Sequence, residues 1–331
     1  MATRKRLVPI LIVSLVTVLA GCGSGGTGGR ATSDPKAPIV LGRFVGPFVL
    51  QAGMSMKAFD DINLKGTDID SGAAALPLIA RGALSGADGI SEPPLVTAWE
   101  RQLDLKIVWA TNLSPHALLA RKGIDGPEDL RGKKVAAPGG SILQIELAQY
   151  LTKHGMSMRD IHFVDLDAAS IVSSYRTGAI DAAYLWQPQA STLKAKGAHV
   201  LGTSAGTSFD IFSKKYVDEN PAAVQAFVCD MAGVQTKFRS DPKPIWKAMA
   251  KELDLDAATV PTLLPKDAVY QPAKMTSDVL GPDGEVVDRM VSAGKAMVTL
   301  HQAEKAPTAA DVRGMIDTRF AAAVVSGKCS T

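Results

Sequence analysis

The chain has 331 residues, 46% of them hydrophobic and 21% charged, with a formal net charge of +3. This apolar content is enough for a sizeable core, which excludes a wholly disordered chain. Three of the 36 Lys and Arg residues lie before residue 22, and the remaining 33 equal the 33 Asp and Glu residues. A neutral body with 5% aromatic residues argues against a nucleic-acid partner, which needs a basic surface and stacking side chains.

The first 22 residues are typical of an exported lipoprotein. Residues 4–6 are basic, and residues 7–19 form an almost unbroken apolar run. Because this run is too short to cross a bilayer of roughly 30 Å, residues 1–21 are predicted to be a signal peptide. Leu19-Ala20-Gly21-Cys22 resembles the bacterial lipobox, in which Cys22 would carry a lipid that holds the chain at the outer or periplasmic face of the cell membrane. An ordinary signal peptide or an N-terminal anchor is the alternative.

Two further cysteines follow a Gly-rich stretch, residues 22–36, that predicts a flexible tether. After export, Cys229 and Cys329 would meet conditions in which disulfides persist, and a bond between them would tie down the C-terminus. The alternative is a buried Cys229 and a loose Cys329. Five scattered His residues, expected mostly on the surface, and the lack of paired Cys spacing give no metal pattern.

The body of the chain alternates short apolar strands with amphipathic helices, the rhythm of an open α/β sheet. A strand is predicted over residues 39–42 and a helix over residues 73–81. The segments 105–110 and 117–121 are predicted to be two strands on either side of a polar break. Beyond residue 212 the pattern is mainly helical.

Two strand-to-helix junctions carry small residues, Ser71-Gly72 in one and Gly140-Ser141 in the other. The first N–H groups of a helix have no intrahelical partner and lie at the positive end of its dipole. An anion can approach the backbone closely there, so both junctions are candidate anion sites. The alternative is that Ser71 and Ser141 only cap their own helices.

Catalytic patterns receive little support from the sequence. No Ser, His and Asp are grouped so that the sequence connects them into a triad, and the junction at Ser141 lacks the Lys of a phosphate-binding loop. No Gly-x-Gly-x-x-Gly motif lies between a predicted strand and a predicted helix. We therefore expect neither an enzyme nor a bound cofactor.

A series of short motifs, taken in order, resembles the type II periplasmic solute-binding proteins. The resemblance covers residues 39–320 and is strongest to the taurine, aliphatic-sulfonate and nitrate branch of ABC importer receptors, above all to taurine-binding proteins. The motifs are Asp70-Ser71-Gly72, Ala80-Arg81-Gly82, Pro93-Pro94-Leu95, Pro127-Glu128-Asp129-Leu130-Arg131-Gly132-Lys133-Lys134-Val135, Gly178-Ala179-Ile180-Asp181-Ala182-Ala183-Tyr184-Leu185-Trp186-Gln187-Pro188, Ser208-Phe209-Asp210 and Asn220-Pro221.

This resemblance implies an α/β fold of two lobes joined by two crossover strands, with a ligand cleft between the lobes. Lobe 1 would comprise residues 37–115 and 213–331, and lobe 2 residues 116–212. The protein would act as a monomer that captures a small solute and delivers it to an ABC permease in the membrane.

The resemblance also implies roles for individual residues. Ser71, Gly72 and Ser141 would meet the acidic head group of the solute, and Trp186 would wall the cleft. Asp210 would face the ammonium group, a charge pair that selects amines over simple sulfonates in a dry cleft. The alternatives are an ordinary core Trp186 and a turn carboxylate at Asp210.

Three residues depart from the family pattern and bear on the ligand. Glu92 stands where an anion would be expected to bind, and a second carboxylate there is costly unless it is protonated or turned away. Gln144 lies in an otherwise apolar helix start, and Phe44 replaces a more polar residue. Glu92 and Asp210, with Phe44 and Trp186, could instead hold an amine or a quaternary ammonium group.

Two other functions remain open at this stage. A sensor or scaffold could keep the lobes and signal to a membrane partner instead of a permease. An enzyme of the same superfamily, such as a pyrimidine synthase of thiamine biosynthesis, is disfavoured because those enzymes are cytosolic and carry a Cys-rich motif that this chain lacks.

Overall fold

The computed structural model describes residues 34–44 and 48–329. The predicted signal peptide, Cys22 and residues 22–33 of the predicted tether lie outside the described residues. The strands of the described residues are β1 (Ile39–Arg43), β2 (Leu64–Asp68), β3 (Gly86–Ile90), β4 (Leu105–Ala120), β5 (Lys134–Ala137), β6 (His162–Asp165), β7 (Ala182–Trp186) and β8 (His199–Ser213).

Helices connect the strands and fill most of the C-terminal third, as the sequence predicts. They are α1 (Val49–Ser55), α2 (Gly72–Ala80), α3 (Glu92–Glu100), α4 (Ile142–Lys153), α5 (Ala168–Thr177), α6 (Gln189–Ala195), α7 (Lys214–Glu219), α8 (Pro221–Ser240), α9 (Pro242–Glu252), α10 (Val260–Leu263), α11 (Glu285–Thr299), α12 (Ala309–Met315) and α13 (Arg319–Val325). Short 3₁₀ helices occupy Pro127–Leu130, Met158–Asp160, Lys266–Ala268 and Pro272–Lys274, and a π-helical turn occupies Met275–Val279.

The strands form one mixed sheet in the order β2-β1-β3-β8-β4-β7-β5-β6. At one end β1 pairs in parallel with β2 and β3, and at the other β5 pairs in parallel with β6 and β7. Between them, the long strands β4 and β8 pair with each other in antiparallel orientation. Helices cover the parallel parts, so the α/β class predicted from the sequence is confirmed.

The predicted break between residues 110 and 117 is wrong, because β4 is continuous over its 16 residues. The polar side chains of this segment are satisfied inside the sheet rather than by solvent. The hydroxyl of Thr111 donates to the side-chain oxygen of Asn112 at 3.0 Å, and the hydroxyls of Ser114 and Ser208 lie 3.3 Å apart. A run of polar residues in a sequence does not indicate a loop when neighbouring residues and strands supply the hydrogen-bond partners of their side chains.

Separate apolar clusters lie on the two sides of β4 and β8. One cluster packs β1 and β3 against the C-terminal helices, with Leu41 and Phe227 fully buried. On the other side, Leu147 of α4 covers one face of the sheet and Ile171 of α5 covers the opposite face. Each parallel part of the sheet therefore has its own core.

A disulfide joins Cys229 in α8 to Cys329, with 5.5 Å between the Cα atoms. It ties the segment after α13 to the middle of α8, which also packs against α13. No helix within residues 34–44 and 48–329 has the length and apolar character needed to cross a bilayer.

Candidate ligand-binding site

Contacts from several elements converge on one segment of β8, Ala205–Asp210. At its start, the guanidinium of Arg289 in α11 donates to the carbonyl oxygen of Ala205 at 3.0 Å. At Gly206, a Cβ atom would lie 2.8 Å from Cε1 of His116 and 3.6 Å from Cγ1 of Ile142. Because glycine has no Cβ, β4 and the beginning of α4 can approach β8 this closely.

Glu92 places a carboxylate at the start of α3, where its side chain is 2% exposed. Its Oε1 accepts a hydrogen bond from the backbone N–H of Thr207 at 3.4 Å, and its Oε2 has no partner among the described residues. Burial raises the pKa of Glu92, while its own N–H and the charge of Arg289 act in the opposite direction. The start of α3 is therefore already occupied by a carboxyl group of the protein, which disfavours a second acidic group there.

Asp210 is a fully buried carboxylate on β8. Neither of its oxygens accepts a hydrogen bond from an N–H or hydroxyl group in the described part of the chain. The group that faces it is the carboxyl group of Asp88 on β3. Burial, followed by repulsion from Asp88, raises the pKa of Asp210 well above its ordinary value. An unsatisfied acid at this depth is costly unless a proton or a cation compensates it.

Asp88 is itself 1% exposed, and burial raises its pKa to about 6 against the lowering influence of Asp210 and Arg43. It lies where the pairing of β3 with β8 shifts register between Ala87 and Ile90. The pairs that precede the shift, Gly86 with Phe212 and Ala87 with Ile211, already place Asp88 opposite Asp210. The next residue, Gly89, has φ of +75°, a conformation that glycine adopts without strain.

Phe44 packs on Gly89, the residue that follows Asp88. A Cβ atom at Gly89 would be 3.0 Å from Cδ2 of the Phe44 ring, so the ring packs directly on the Gly89 backbone. Phe44 is half-buried and also contacts Phe48, with 5.9 Å between ring centroids. An aromatic face next to buried carboxylates is chemically suited to an ammonium group.

His116 and Glu146 form a second buried polar pair near the same segment. Nδ1 of His116 lies 2.8 Å from Oε2 of Glu146, and both residues are less than 8% exposed. The expectation that the His residues lie mostly on the surface is wrong for His116, because Glu146 supplies the partner that allows its burial.

Ser204 lies in a stretch with the Gly-x-Ser-x-Gly spacing of serine hydrolases, residues 202–206. The stretch is part of the extended strand β8, whereas a nucleophile elbow requires a sharp turn from a strand into a helix. The Ser204 hydroxyl instead accepts a hydrogen bond from Tyr184 at 3.0 Å. The geometry thus gives this serine a structural partner rather than a catalytic base.

The serines at the two predicted anion sites make different hydrogen bonds. Ser71 accepts a hydrogen bond from the N–H of Ala74 at 3.1 Å and so caps α2. Ser141 precedes α4 without capping it, and its hydroxyl donates to Pro138 O at 2.5 Å. The start of α2 lies against α3, because a Cβ atom at Gly72 would be 2.8 Å from Pro94 Cγ.

The remaining two predicted site residues lie on elements of the 116–212 segment. Gln144 accepts hydrogen bonds from the N–H of Gly140, at 2.9 Å, and from the side-chain amide of Gln302. Trp186 ends β7, is half-buried and lies opposite His116 in the β4–β7 register. The structure thus brings Phe44, Glu92 and Asp210 to the β3–β8 side of the sheet and leaves Gln144 engaged with the protein.

The sequence reasoning missed Asp88, Glu146 and Arg289. Asp88 carried a usable signal, since a lone acid inside a short apolar strand must find a partner when the strand is buried. Arg289 gave no such signal, because its contact with Ala205 joins residues 84 positions apart.

Residues 68–232 match the protein family described as NMT1/THI5 like. The taurine-binding periplasmic protein of Escherichia coli K12 is 25% identical over 66% of this chain and 72% of its own length. A Bacillus subtilis 168 protein, named as a putative aliphatic sulfonates-binding protein, is 25% identical over 74% of this chain and 78% of its own. The chain is a homologue of periplasmic binding proteins for taurine and sulfonates.

Solved structures confirm the fold of this binding-protein homologue. The periplasmic aliphatic sulphonate binding protein from Escherichia coli superposes with a TM-score of 0.68 at 20% identity, covering 85% of this chain and 92% of that one. A desulfurization enzyme superposes with a TM-score of 0.66 at 12% identity, covering 88% and 99%. The expected periplasmic-binding-protein fold is therefore confirmed, and the fold by itself does not distinguish binding from catalysis.

Proposed function

We propose that the chain is the substrate-binding protein of an ABC importer. It captures a small zwitterionic solute, such as taurine or a related aliphatic sulfonate, and delivers it to the permease. Homology supports the receptor role. The observation that carries the choice of solute is Asp210, a buried carboxylate that lacks a donor within the described residues and that an ammonium group would satisfy.

The site residues keep the roles that the sequence suggested, except that the acidic head group does not lie at the start of α3. The solute ammonium faces Asp210, and the Phe44 and Trp186 rings border its carbon chain. The acidic head group lies towards the starts of α2 and α4, at Gly72 and Ser141, rather than at α3. Glu92 supports this placement, because its own carboxylate lies at the start of α3 and repels a second anion.

Binding closes two lobes on the solute, residues 37–115 with 213–331 and residues 116–212. Two observations support this division. Separate apolar clusters lie on either side of β4 and β8, which suits these strands to act as the hinge. Hydrogen bonds from Gln302 to Gln144 and from Arg289 to Ala205 join residues of the two lobes. A solute that contacts both lobes stabilises the closed form by its differential affinity.

The receptor acts as a lipid-anchored monomer and not as an enzyme. The Cys22 lipobox and the Gly-rich stretch that follows it support an anchor on a flexible tether. The relatives named above are binding proteins, and Ser204 lies in a strand rather than at an elbow.

A second solute class is favoured by a separate observation. The unpartnered Oε2 of Glu92 adds a second buried acceptor to those of Asp210. Two carboxylates, together with an aromatic ring such as that of Phe44, would also suit a betaine or an amine without any acidic group.

A thermal-shift screen of the chain from residue 31 onward, whose described residues belong to one compact unit, tests the receptor role. The panel is taurine, ethanesulfonate, nitrate, a diamine, choline and glycine betaine. A solute that binds only the folded state raises the unfolding midpoint with its concentration. We expect taurine or another amine-bearing member to do so. A panel without any stabilising member would contradict the proposed function.

A further inference from the structure

Asp88 and Asp210 form a pair of buried carboxyl groups, and the role proposed for Asp210 in solute binding does not explain why two acids lie together there. Both carboxyl groups are buried, at 1% and 0% exposure, on adjacent antiparallel strands. Both oxygens of Asp210 and Oδ2 of Asp88 lack a hydrogen-bond donor within residues 34–44 and 48–329. Two ionised carboxylates in this arrangement would repel each other without compensation.

The surroundings of the pair do not supply the missing positive charge. Arg43 on β1 is the cation that acts on Asp88. However, its Nε donates to Asp68 and its Nη1 to Gln51 of α1, each at 3.0 Å. Arg43 therefore lowers the pKa of Asp88 only at a distance, and burial dominates.

The neighbouring strand β4 presents an uncharged group beside the pair. Trp109 of β4 lies opposite Asp210 in the sheet, and its indole N–H donates to Gln235 of α8 at 2.6 Å. Glu92, the next acid along from Asp88, interacts with Thr207 and Arg289 instead. A proton held between Asp88 and Asp210 is thus the remaining way to relieve their repulsion in the empty site.

We propose that Asp88 and Asp210 share one proton in the empty protein and release it when the ammonium group of the solute binds. This inference rests on the proposed function, in which Asp210 faces that ammonium. The exchange balances: the singly protonated pair carries one negative charge, the arriving ammonium keeps its three protons, and the displaced proton passes to the buffer. The doubly ionised pair is then compensated by the ammonium.

A consequence is that the affinity for an amine depends on pH. At a pH where the empty pair holds its proton, the solute must displace it, so affinity rises by up to tenfold for each unit that the pH increases. At a pH where the empty pair has already lost the proton, affinity stops rising. A solute without an ammonium group shows no such dependence on this pair.

Infrared spectroscopy of the whole chain tests the shared proton directly. In the empty protein at neutral pH we expect a band from the C=O stretch of a protonated carboxyl group that is lost from the double variant Asp88→Asn with Asp210→Asn and retained in the control Asp230→Asn. Saturation with taurine, or with any other amine that stabilises the protein, should remove the band. If the band is absent from the empty protein, or if no amine removes it, the inference is overturned.

Calorimetry in buffers of different ionisation enthalpy measures the released proton. Taurine and 2-hydroxyethanesulfonate form a matched pair, since a hydroxyl replaces the ammonium and the sulfonate is unchanged. We expect the wild type to release about one proton for each taurine bound and about none for each 2-hydroxyethanesulfonate bound. Tight binding of taurine to the wild type without proton release overturns the inference and leaves the receptor function standing. Failure of every solute to bind overturns both.

Discussion

The backbone N–H of Thr207 donates to the carboxylate of Glu92 at 3.4 Å and joins the middle of β8 to the start of α3. The two residues are 115 positions apart in the sequence. Through this bond the first turn of α3 is fixed against the strand that carries Asp210. The position of a buried acid next to the proposed solute site is therefore set by the sheet itself.

Glu92→Gln is expected to stabilise the protein. Glutamine retains an acceptor for the Thr207 N–H and removes a carboxylate that burial disfavours in its charged form. We expect the free energy of unfolding at pH 8 to rise by roughly 1 kcal/mol, measured by urea denaturation. Glu146→Gln is the matched control. It should instead lower stability by about 1.5–3 kcal/mol, because it weakens a charge-assisted bond to His116. Equal effects of the two variants would contradict this account of Glu92.

Asp210→Asn tests the solute contact. Loss of the carboxylate should weaken binding of an amine-bearing solute by about 1.5–3 kcal/mol, the value of a hydrogen bond to a charged group, as measured by titration calorimetry. Asp230→Asn serves as the control, since Asp230 is a half-buried acid of α8 whose pKa burial raises to about 6. Unchanged affinity in Asp210→Asn would remove Asp210 from the site.

The stability of the empty protein should increase as the pH falls from about 7 towards 4. Burial raises the pKa of Asp88 to about 6, so the folded state binds this proton more tightly than the unfolded state does. The stabilisation is complete below the unfolded value of about 4 and is lost as the pH rises through the folded value. In Asp88→Asn, the free energy of unfolding, measured by urea denaturation at several pH values, should change less over this pH range. An identical slope in the wild type and the variant would rule out a contribution from Asp88.

Many of the strands and helices could be predicted from the sequence, because the spacing of apolar residues shows which side of each element is buried. The strand at residues 39–42 and the helix at residues 73–81 lie where the pattern placed them. The break expected near Ser114 failed for a physical reason. The partners of its polar side chains come from β8, about ninety residues later, and local composition does not contain them.

The candidate site was predictable only in part. Asp210 and Glu92 could be named from the order of motifs, but the sequence could not show that Glu92 bonds to Thr207 or that Asp88 faces Asp210. Both facts depend on the β3–β8 register, which shifts between Ala87 and Ile90. A single-residue change of register sends each side chain to the opposite face of a sheet.

The Cys229–Cys329 disulfide should contribute strongly to stability. It closes a loop of 100 residues, for which the chain-entropy model gives about 4–5 kcal/mol. We expect the double variant Cys229→Ser with Cys329→Ser to lose a large part of this free energy of unfolding in urea. Reduction of the wild type should reproduce the loss, and reduction of the double variant should have no effect. A stability equal to that of the oxidised wild type would contradict the prediction.

Cys22→Ala tests the proposed anchor. Without the thiol that accepts the lipid, the exported chain should move from the membrane fraction to the soluble fraction and should no longer incorporate labelled palmitate in growing cells. Cys329→Ser, which leaves the lipobox intact, is the matched control and should remain with the membrane. If Cys22→Ala stays in the membrane fraction, the anchor has another origin.

The central claim, that the chain supplies an amine-bearing solute to an importer, is tested most directly by uptake. Cells of the source organism that lack the chain would be compared with cells that carry the wild type or Asp210→Asn, using the labelled solute that most stabilises the purified protein. The account predicts that uptake at low concentration is lost without the chain, restored by the wild type and not restored by Asp210→Asn. Uptake that continues unchanged without the chain would contradict it.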